Sequence, residues 1–234
     1  LGPPADRQRY FERVIEAIER VPGTRRAAVT SVLPLQGPGA EVPFARPEEA
    51  AADRASRPTA SLKMVSSGYV EALGLRLVRG RAFQPADGPA NPRVALVHEV
   101  LDARYFAGQD PIGQSLAVPE MVATGRTRLG PDFQWQIVGM VADERTTRLG
   151  DDSQTPAIYV PLAQSPTKRP SLVVRTDTAP DRFAEAIRKA VAQVDAFQLP
   201  ADVRTIDALK TEALGSDRHR AWLDARNCKR HFGH

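Results

Sequence analysis

Apolar side chains recur at the three-to-four-residue spacing of an amphipathic helix in two stretches of the chain. The first stretch, residues 6–21, is followed by Pro22 and Gly23, a pair that ends helices. The second stretch is residues 181–194. Both patterns predict helices that lay one face on a core. The apolar positions are Tyr10, Phe11, Val14, Ile15 and Ile18 in the first stretch and Phe183, Ile187, Val191 and Val194 in the second.

Short apolar runs bounded by turn residues predict the strands. Two regions between these runs are expected to be loops, because residues 36–58 are rich in Pro, Gly, Ala and charge and residues 119–133 are largely polar. Gly139, inside one run, permits a bulge or close packing. The runs are residues 25–33, 42–44, 61–65, 94–97, 116–118, 134–141, 157–160, 171–175 and 203–206.

Residues 65–87 predict a short helix followed by an extended stretch. Ser66 or Ser67 is expected to cap the N-terminus of this helix. Gly74 is expected to end it in the left-handed conformation, which glycine adopts without strain.

Two further short helices are predicted, over residues 99–106 and from Asp207, which would cap the second of them. The chain begins with helix–strand and ends with strand–helix–strand. These terminal pieces can pair into one sheet, which leaves the middle of the chain as an inserted subdomain. The predicted fold class is therefore α+β.

Composition places the chain among ordinary globular proteins. It has 234 residues, 42% hydrophobic and 26% charged, and can bury a core as one large domain or two small ones. The net charge of +4 is spread along the sequence, so we expect no nucleic-acid partner. The one cysteine, Cys228, excludes an internal disulfide framework.

The sequence shows no membrane-crossing or targeting signal. No apolar stretch reaches the roughly 18 residues that cross a bilayer, and the charged and apolar regions of a signal peptide are missing from the start. We therefore expect these residues by themselves to be soluble. The chain begins with Leu1 rather than Met, which indicates a piece of a longer protein.

Enzyme motifs are missing from the sequence as well. It contains neither the Gly-x-x-x-x-Gly-Lys-Ser/Thr of a P-loop nor a Gly-x-Ser-x-Gly elbow. His98 is the only histidine before residue 219, so a nucleophile–histidine relay would have to use it. Its position between a strand and a helix favours a capping or surface role. The adjacent carboxylates at 143–144 and 151–152 are typical of solvated turns.

The only metal-like group of side chains lies near the end of the chain. Imidazole and thiolate suit zinc or copper. The spacing matches no standard metal site and the surroundings hold few apolar residues, so a polar tail is favoured and no metal is expected. The group consists of His219, Cys228, His231 and His234.

Seven short motifs occur together in the order and spacing of one protein family. They are residues 27–35, 68–74, 79–81, 110–113, 137–143, 159–164 and 203–207. Through them, residues 6–214 resemble the MacB-like periplasmic core domain of ABC transporter permeases of the MacB/FtsX type. The combination is far more specific than any single motif.

The resemblance implies a two-part extracytoplasmic domain held between two transmembrane helices of a permease. Residues 1–60 and 155–214 would form a discontinuous, porter-like β-α-β subdomain. Residues 61–154 would form an inserted, mostly β, mixed α/β subdomain. Residues 215–234 would be a polar, basic and disordered tail.

The resemblance also implies a function. The domain would be non-catalytic and would couple ATP-driven conformational change to transport or to contact with a partner. Its partners would be the transmembrane helices of the same permease, a separate ATP-binding domain or subunit, a second copy of itself and a periplasmic protein. It would face the periplasm or the outside of a bacterial cell membrane. The family's motifs here are structural turns, so no catalytic, cofactor-binding or metal-binding residue carries over.

Three features depart from the family's pattern. Ser67 stands in place of a proline and His98 in place of an asparagine, and both suit a turn and a cap. After Leu214 the family continues into an apolar membrane helix, whereas residues 215–234 here are polar and basic.

Two other functions are open on the sequence. A periplasmic binding module would recognise a peptide or an amphiphile between the two parts, and an apolar cleft there would favour it. A hydrolase would require a buried polar triad around His98.

Overall fold

The computed structural model describes residues 4–34, 36–37, 39–50, 53–106, 108–124, 126–142, 156–165, 167, 170–177, 183–195 and 203–212. Its helices are α1 (Pro4–Glu19), α2 (Tyr69–Leu73), α3 (Glu99–Tyr105), α4 (Ala184–Val194) and α5 (206–212). Its strands are β1 (Thr24–Thr30), β2 (Ala40–Pro43), β3 (Thr59–Val65), β4 (Arg76–Gly80), β5 (Val94–His98), β6 (Ser115–Thr124), β7 (Arg126–Ala142), β8 (Ala157–Pro161) and β9 (Ser171–Thr176). The predicted α+β class is confirmed.

The strands form one mixed sheet. Its order is β4-β7-β5-β8-β3-β1-β9, with β2 paired to β3 and β6 paired to β7. β3 runs parallel to β8, and β5 runs parallel to β7. The central strands β5 and β8 are buried along their whole length, which explains their nearly unbroken apolar sequences.

Successive side chains of the central strands point to opposite faces of the sheet. On one face, Val97 of β5 packs in a cluster with Phe11 of α1 and Leu101 of α3. On the other face, Leu96 packs in a cluster with Tyr69 of α2. Helices therefore cover both faces of the sheet.

The two predicted amphipathic helices, α1 and α4, pack together over β1. Their shared cluster includes Val14 and Ile18 of α1, Ala27 of β1, and Ile187 and Val191 of α4. The periodicity of apolar residues predicted these helices and their buried faces correctly.

The strand predicted at residues 203–206 is wrong. Residues 203–205 have no regular structure, and α5 follows them directly. The Thr205 hydroxyl accepts the Ala208 N–H at 2.9 Å, so Thr205 caps this helix rather than Asp207. The Asp207 carboxylate accepts from Lys210 Nζ at 3.0 Å instead. Residues 203–206 lead into a helix instead of forming a strand, because the Thr205 hydroxyl satisfies the Ala208 N–H in the first turn.

The loop predicted at residues 119–133 is also wrong. β6 and β7 continue through it as an antiparallel two-stranded ribbon, in which Pro119 lies opposite Asp132 and Met121 opposite Leu129. We call residues 119–133 the ribbon. The backbone groups of two paired strands satisfy each other, so such a ribbon needs no apolar face on a core. Its polar sequence is therefore compatible with strands.

Candidate functional site

His98, the residue on which any histidine relay would depend, is buried at the end of β5 and is 2% exposed. It is the N-cap residue of α3, and its Nδ1 accepts the Val100 N–H at 3.3 Å. The capping role predicted from its position is confirmed. Because Nδ1 accepts this bond at the N-terminus of α3, this nitrogen is unavailable as a base.

Ser66 and Ser67 do not cap α2 as predicted. The N-cap residue is Gly68, and no side chain caps the helix. The Ser66 hydroxyl accepts the Val29 N–H of β1 at 2.9 Å. β1 and β3 pair only through Thr30 and Val65, so the amide of Val29 requires this side-chain partner.

The C-terminus of α2 is built as predicted. Gly74 has a φ of 67°, in the left-handed region. Arg175 of β9 lies over this end, and its Nε donates to the Ala72 carbonyl at 3.2 Å. A cation at the carbonyl end of a helix is favourable, and this one joins α2 to the far edge of the sheet.

Gly80 and Gly139 lie opposite each other where β4 meets β7. A Cβ on Gly139 would overlap the Arg81 carbonyl oxygen, and a Cβ on Gly80 would overlap the Val138 carbonyl oxygen. The pairing of β5 with β7 shifts register between Ala95 and Leu96 at the same place. The prediction that Gly139 permits a bulge or close packing is confirmed, and the close neighbour is the backbone after β4.

Arg81 and Asp87 close the turn that follows β4. Two parallel hydrogen bonds join them, Nη1 to Oδ2 at 2.8 Å and Nη2 to Oδ1 at 2.9 Å. The Gln84 N–H also donates to Asp87 Oδ2 at 2.8 Å. Burial by itself raises the pKa of Asp87, but the bonds from Arg81 and Gln84 outweigh it, so the pKa of this carboxyl is lowered. The hydrogen bonds that Arg81 donates to Asp87 raise the pKa of Arg81.

Gln164 ties the loop before β5 to the end of β8. Its Oε1 accepts the Val94 N–H at 3.1 Å, and its Nε2 donates to the carbonyls of Gly88 at 3.0 Å and Pro92 at 2.9 Å. The side chain is buried, and this amide satisfies backbone groups of the loop and the N–H of the first residue of β5. We call Gly80, Arg81, Asp87, Gly139 and Gln164 together the frame.

The base of the ribbon is fixed by charged side chains. Asp132 accepts from Arg54 and from Arg57, at 2.8 Å in each case. The Arg57 side chain is only 5% exposed, and it also donates to the Ala50 carbonyl. Charge-assisted bonds of this kind are stronger than neutral ones, so they hold residues 53–57 against β7.

Two other contacts support the ribbon base. Ala45 and Ala117 exchange backbone hydrogen bonds of 3.1 and 2.8 Å. The Arg93 guanidinium lies 3.8 Å from the ring centroid of Phe133 and 5.0 Å from that of Trp135. Cations stack favourably on aromatic faces.

Beyond this base, the described residues of 119–133 pair only with each other, and Met121 packs against the main core cluster. Leu129 is 42% exposed, and its cross-strand neighbour Met121 is half-buried. No role for this region is predicted from the sequence, because the alternation of apolar residues there is too weak to indicate strands.

Some predicted features lie outside the described residues. These are the carboxylates at 143–144 and 151–152, the metal-like group of residues 219, 228, 231 and 234, and the tail 215–234. Within the residues that are described, no three His, Cys, Asp or Glu side chains are grouped as metal ligands. None of the helices in the described ranges is long and apolar enough to span a bilayer.

A family model described as "MacB-like periplasmic core domain" matches residues 3–193. This chain belongs to that family. It is a periplasmic domain of the kind found in MacB/FtsX-like ABC transporter permeases.

Two solved structures support the fold of this MacB-like domain. The periplasmic region of MacB from Actinobacillus actinomycetemcomitans is 12% identical, with 77% of this chain and 72% of that chain covered and a TM-score of 0.51. The extracellular domain of the noncanonic ABC-type transporter YknZ from Gram-positive bacteria is 18% identical, with 81% and 84% covered and a TM-score of 0.50. At these identities the likeness concerns the fold alone. No curated protein matches the chain.

The family motifs and the frame coincide at several positions of this MacB-like domain. Gly80, Gly139 and Gln164 each lie inside one of the family motifs. The two glycines lie against backbone atoms, and Gln164 forms hydrogen bonds to the backbone. At these three positions the motifs therefore serve the packing of β4, β5 and β7 and of the loop before β5.

Sequence reasoning missed one buried group in the MacB-like domain. Lys63 of β3 is fully buried, with its Nζ 5.7 Å from the ring centroid of Tyr159. A lysine is rarely buried in this way. The available signal was its position in the middle of an apolar strand between Leu62 and Met64.

Proposed function

We propose that this MacB-like domain is a non-catalytic coupling element, which carries ATP-driven conformational change of a permease to transport or to contact with a partner. One observation supports the proposal most directly. A single sheet connects the α1–α4 helix pair at β1 and β9 to the ribbon at β7 without a break. A closely packed sheet with helices on both faces moves as a unit and does not deform continuously.

We also propose the two-part division, with residues 1–60 and 155–214 as a porter-like part and residues 61–154 as an inserted part. β3 runs across the boundary at residue 60 and lies between β8 and β1. Such a junction would let the two parts move together rather than hinge.

The alternative function, a module that binds a peptide or amphiphile between the two parts, calls for an apolar cleft. A surface depression is formed by Asp6, Arg9, Tyr10 and Arg13, but it lies on α1 and three of these four residues are charged. This polar depression therefore gives the binding function no support. We further propose that the partners are the transmembrane helices of the permease, an ATP-binding subunit, a second copy and a periplasmic protein.

Distances between spin labels in the whole permease test this proposal. Labels would be placed at Glu16→Cys on α1 and Gln134→Cys on β7, with Cys228→Ser as the background, and on the ATP-binding subunit. On ATP trapping, the distance between the two labels in the domain should stay fixed while the distance from Gln134→Cys to the ATP-binding subunit changes. A distance to that subunit that is the same with and without ATP would exclude coupling.

A further inference from the structure

The N-terminus of α3 is capped by a side chain that can take up a proton. His98 is 2% exposed, and its Nδ1 accepts the Val100 N–H at 3.3 Å. A neutral imidazole has one nitrogen that accepts and one that carries the proton, so the proton of this ring is on Nε2. The usual N-cap residues, Ser, Thr, Asn and Asp, accept this bond at neutral and mildly acidic pH alike. Histidine accepts it only while the ring is neutral.

Protonation of His98 is opposed by its position in three ways. A second proton would occupy the Nδ1 lone pair and set two N–H groups against each other. The positive charge would lie at the N-terminus of a helix, where the backbone N–H groups already make the potential positive. The charge would also be buried, which is costly unless a partner compensates it.

Two carboxylates near His98 could compensate the charge of a protonated ring, and both are on α3. Glu99 Oε2 lies 3.7 Å from Arg76 Nη2 of β4 and is therefore already engaged by a cation. Asp102 is half-buried, and its Oδ1 has no hydrogen-bond partner among the described residues. On β7, the residue opposite His98 is the uncharged Val141.

A buried lysine lies on the same face of the sheet as His98. His98 and Leu96 are two residues apart on β5, so their side chains share a face. Leu96 lies opposite Tyr159 of β8, and Lys63 Nζ is 5.7 Å from the Tyr159 ring centroid. Tyr159 and Tyr69 supply phenols, which carry no charge near neutral pH. With two carboxylates and two cations around the ring, loss of the cap bond and burial decide against the charged form.

We propose that His98 is a proton-sensitive cap, which holds the first turn of α3 at neutral pH and releases it as the pH falls below about 6.5. A histidine in water takes up a proton near that pH, and His98 can do so once the turn has opened. Opening of the turn also separates Glu99 from Arg76 and so loosens α3 from β4. This inference concerns regulation of the domain and does not depend on the coupling function.

The direction and the size of the effect follow from proton binding. The open form of α3 binds a proton that the capped form does not, so the capped form loses stability as the pH falls. Each pH unit below about 6.5 multiplies the population of the open form by up to about ten. At about pH 5 the increase reaches up to about thirtyfold.

Amide hydrogen exchange of the 234-residue chain at about pH 7.5 and about pH 5 tests this proposal. Each exchange rate is divided by the rate of an unstructured peptide at the same pH, because free amides exchange at rates that depend on pH. We expect the protection of the Val100 amide and of the other α3 amides to fall about tenfold or more at the lower pH.

Four variants separate the cap from other groups that titrate. His98→Asn keeps an acceptor that does not take up a proton, so its α3 protection should be nearly the same at both pH values. His98→Ala removes the cap and should lower the protection at both pH values alike. Asp102→Asn should keep the fall seen in the parent chain. The matched control, His219→Gln with His231→Gln and His234→Gln, removes the other three histidines and should also keep it.

A second measurement needs no substitution at position 98. The ¹⁵N chemical shifts of the His98 ring show which of its nitrogens carries a proton. At about pH 7.5 we expect a proton on Nε2 and none on Nδ1. A doubly protonated ring should appear only as the protection of α3 is lost. Circular dichroism should show every variant folded.

Several results would overturn the proposal. One is equal protection of α3 in the parent chain at both pH values, and another is an equal fall in His98→Asn. A third is loss of the fall in Asp102→Asn, which would make that carboxylate the titrating group. The last is a ring that is doubly protonated while α3 stays protected, which would show that the cap does not depend on the proton. The spin-label test of coupling stands apart from all four.

Discussion

The frame and the ribbon are neighbours on β7, yet they are held by different means. In the frame, Gly139 has a backbone carbonyl where its Cβ would be, and Gln164 satisfies three backbone groups at once. In the ribbon, the two strands satisfy each other and Leu129 is exposed. We therefore expect the positions of the frame to tolerate few substitutions and those of the ribbon to tolerate more.

This difference explains where a family can be recognised. Where a backbone atom occupies the place of a Cβ, only glycine fits. The motifs of the MacB-like domain therefore include Gly80 and Gly139 of the frame. A two-stranded ribbon keeps its structure through many changes of side chain. We therefore expect the frame to be common to such domains and the ribbon to carry what is particular to each.

Among the substitutions in the frame, Gly139→Ala is expected to lower the free energy of unfolding most. The added methyl meets the Arg81 carbonyl oxygen and lies 2.8 Å from Leu96 Cδ2, so two strands must move apart. We expect a loss of about 3 kcal/mol in the free energy of unfolding, at the upper end for overpacking because the obstacle is backbone. Urea denaturation followed by circular dichroism measures it.

Gly88→Ala is the matched control. No atom lies within 4 Å of a Cβ at Gly88. Its free energy of unfolding should change by less than about 1 kcal/mol, and a gain is expected from the stiffer unfolded chain. Equal effects of the two substitutions would show that the contact at Gly139 does not matter.

A smaller loss is expected from Gln164→Ala. The Val94 N–H and the Pro92 carbonyl would lose their side-chain partner, and the Gly88 carbonyl would keep only its bond from the Asn91 N–H. A buried polar group without a partner costs about 1–3 kcal/mol, and we expect about 2–3 kcal/mol in total because water can reach part of the loop. Thermal and urea denaturation measure the change. Gln134→Ala, at an exposed position of β7, should leave stability nearly unchanged.

The pair of Arg81 and Asp87 makes the stability of the frame depend on pH. The pKa of Asp87 in the folded domain lies below its ordinary value of 3.8. A carboxyl with a lowered pKa contributes stability above pH 3.8, and this contribution is lost as the pH falls through the lower, folded-state pKa. Acid should therefore weaken the frame.

Asp87→Asn tests this dependence. At neutral pH we expect a loss of about 1.5–3 kcal/mol, the range for hydrogen bonds to charged groups. The difference between the parent chain and the variant should shrink as the pH is lowered below 3.8. Denaturation at a series of pH values measures it. Asp6→Asn, which removes an exposed ion pair with Arg9, should lower the free energy of unfolding at neutral pH by less than about 1 kcal/mol.

Much of the fold could be predicted from the sequence because its signals are local. The helical spacing of residues 6–21 and 181–194 predicted α1 and α4, and the glycine at position 74 predicted the end of α2. Apolar runs predicted the central strands, since β5 and β8 are buried on both faces.

One error occurred where the deciding partner lies far away in the sequence. The Ser66 hydroxyl is taken by Val29, 37 residues away, so it does not cap the helix that follows it. The three bonds that make Gln164 part of the frame reach back 70 to 76 residues. The ribbon was predicted as a loop because pairing between two polar strands leaves no apolar alternation.

A substitution at the base of the ribbon has the smallest expected effect on overall stability. Asp132→Asn removes the charge shared by Arg54 and Arg57 but keeps an oxygen that can accept from one of them. We expect the free energy of unfolding to fall by about 1 kcal/mol. Amide hydrogen exchange should become faster in residues 53–57 and 119–133 and stay unchanged in β5 and β8, because the ribbon has few contacts with the core. Glu120→Gln, an exposed change of the same kind, is the control. Faster exchange throughout the sheet would mean that ribbon and frame form one cooperative unit, and the contrast between them would then fail.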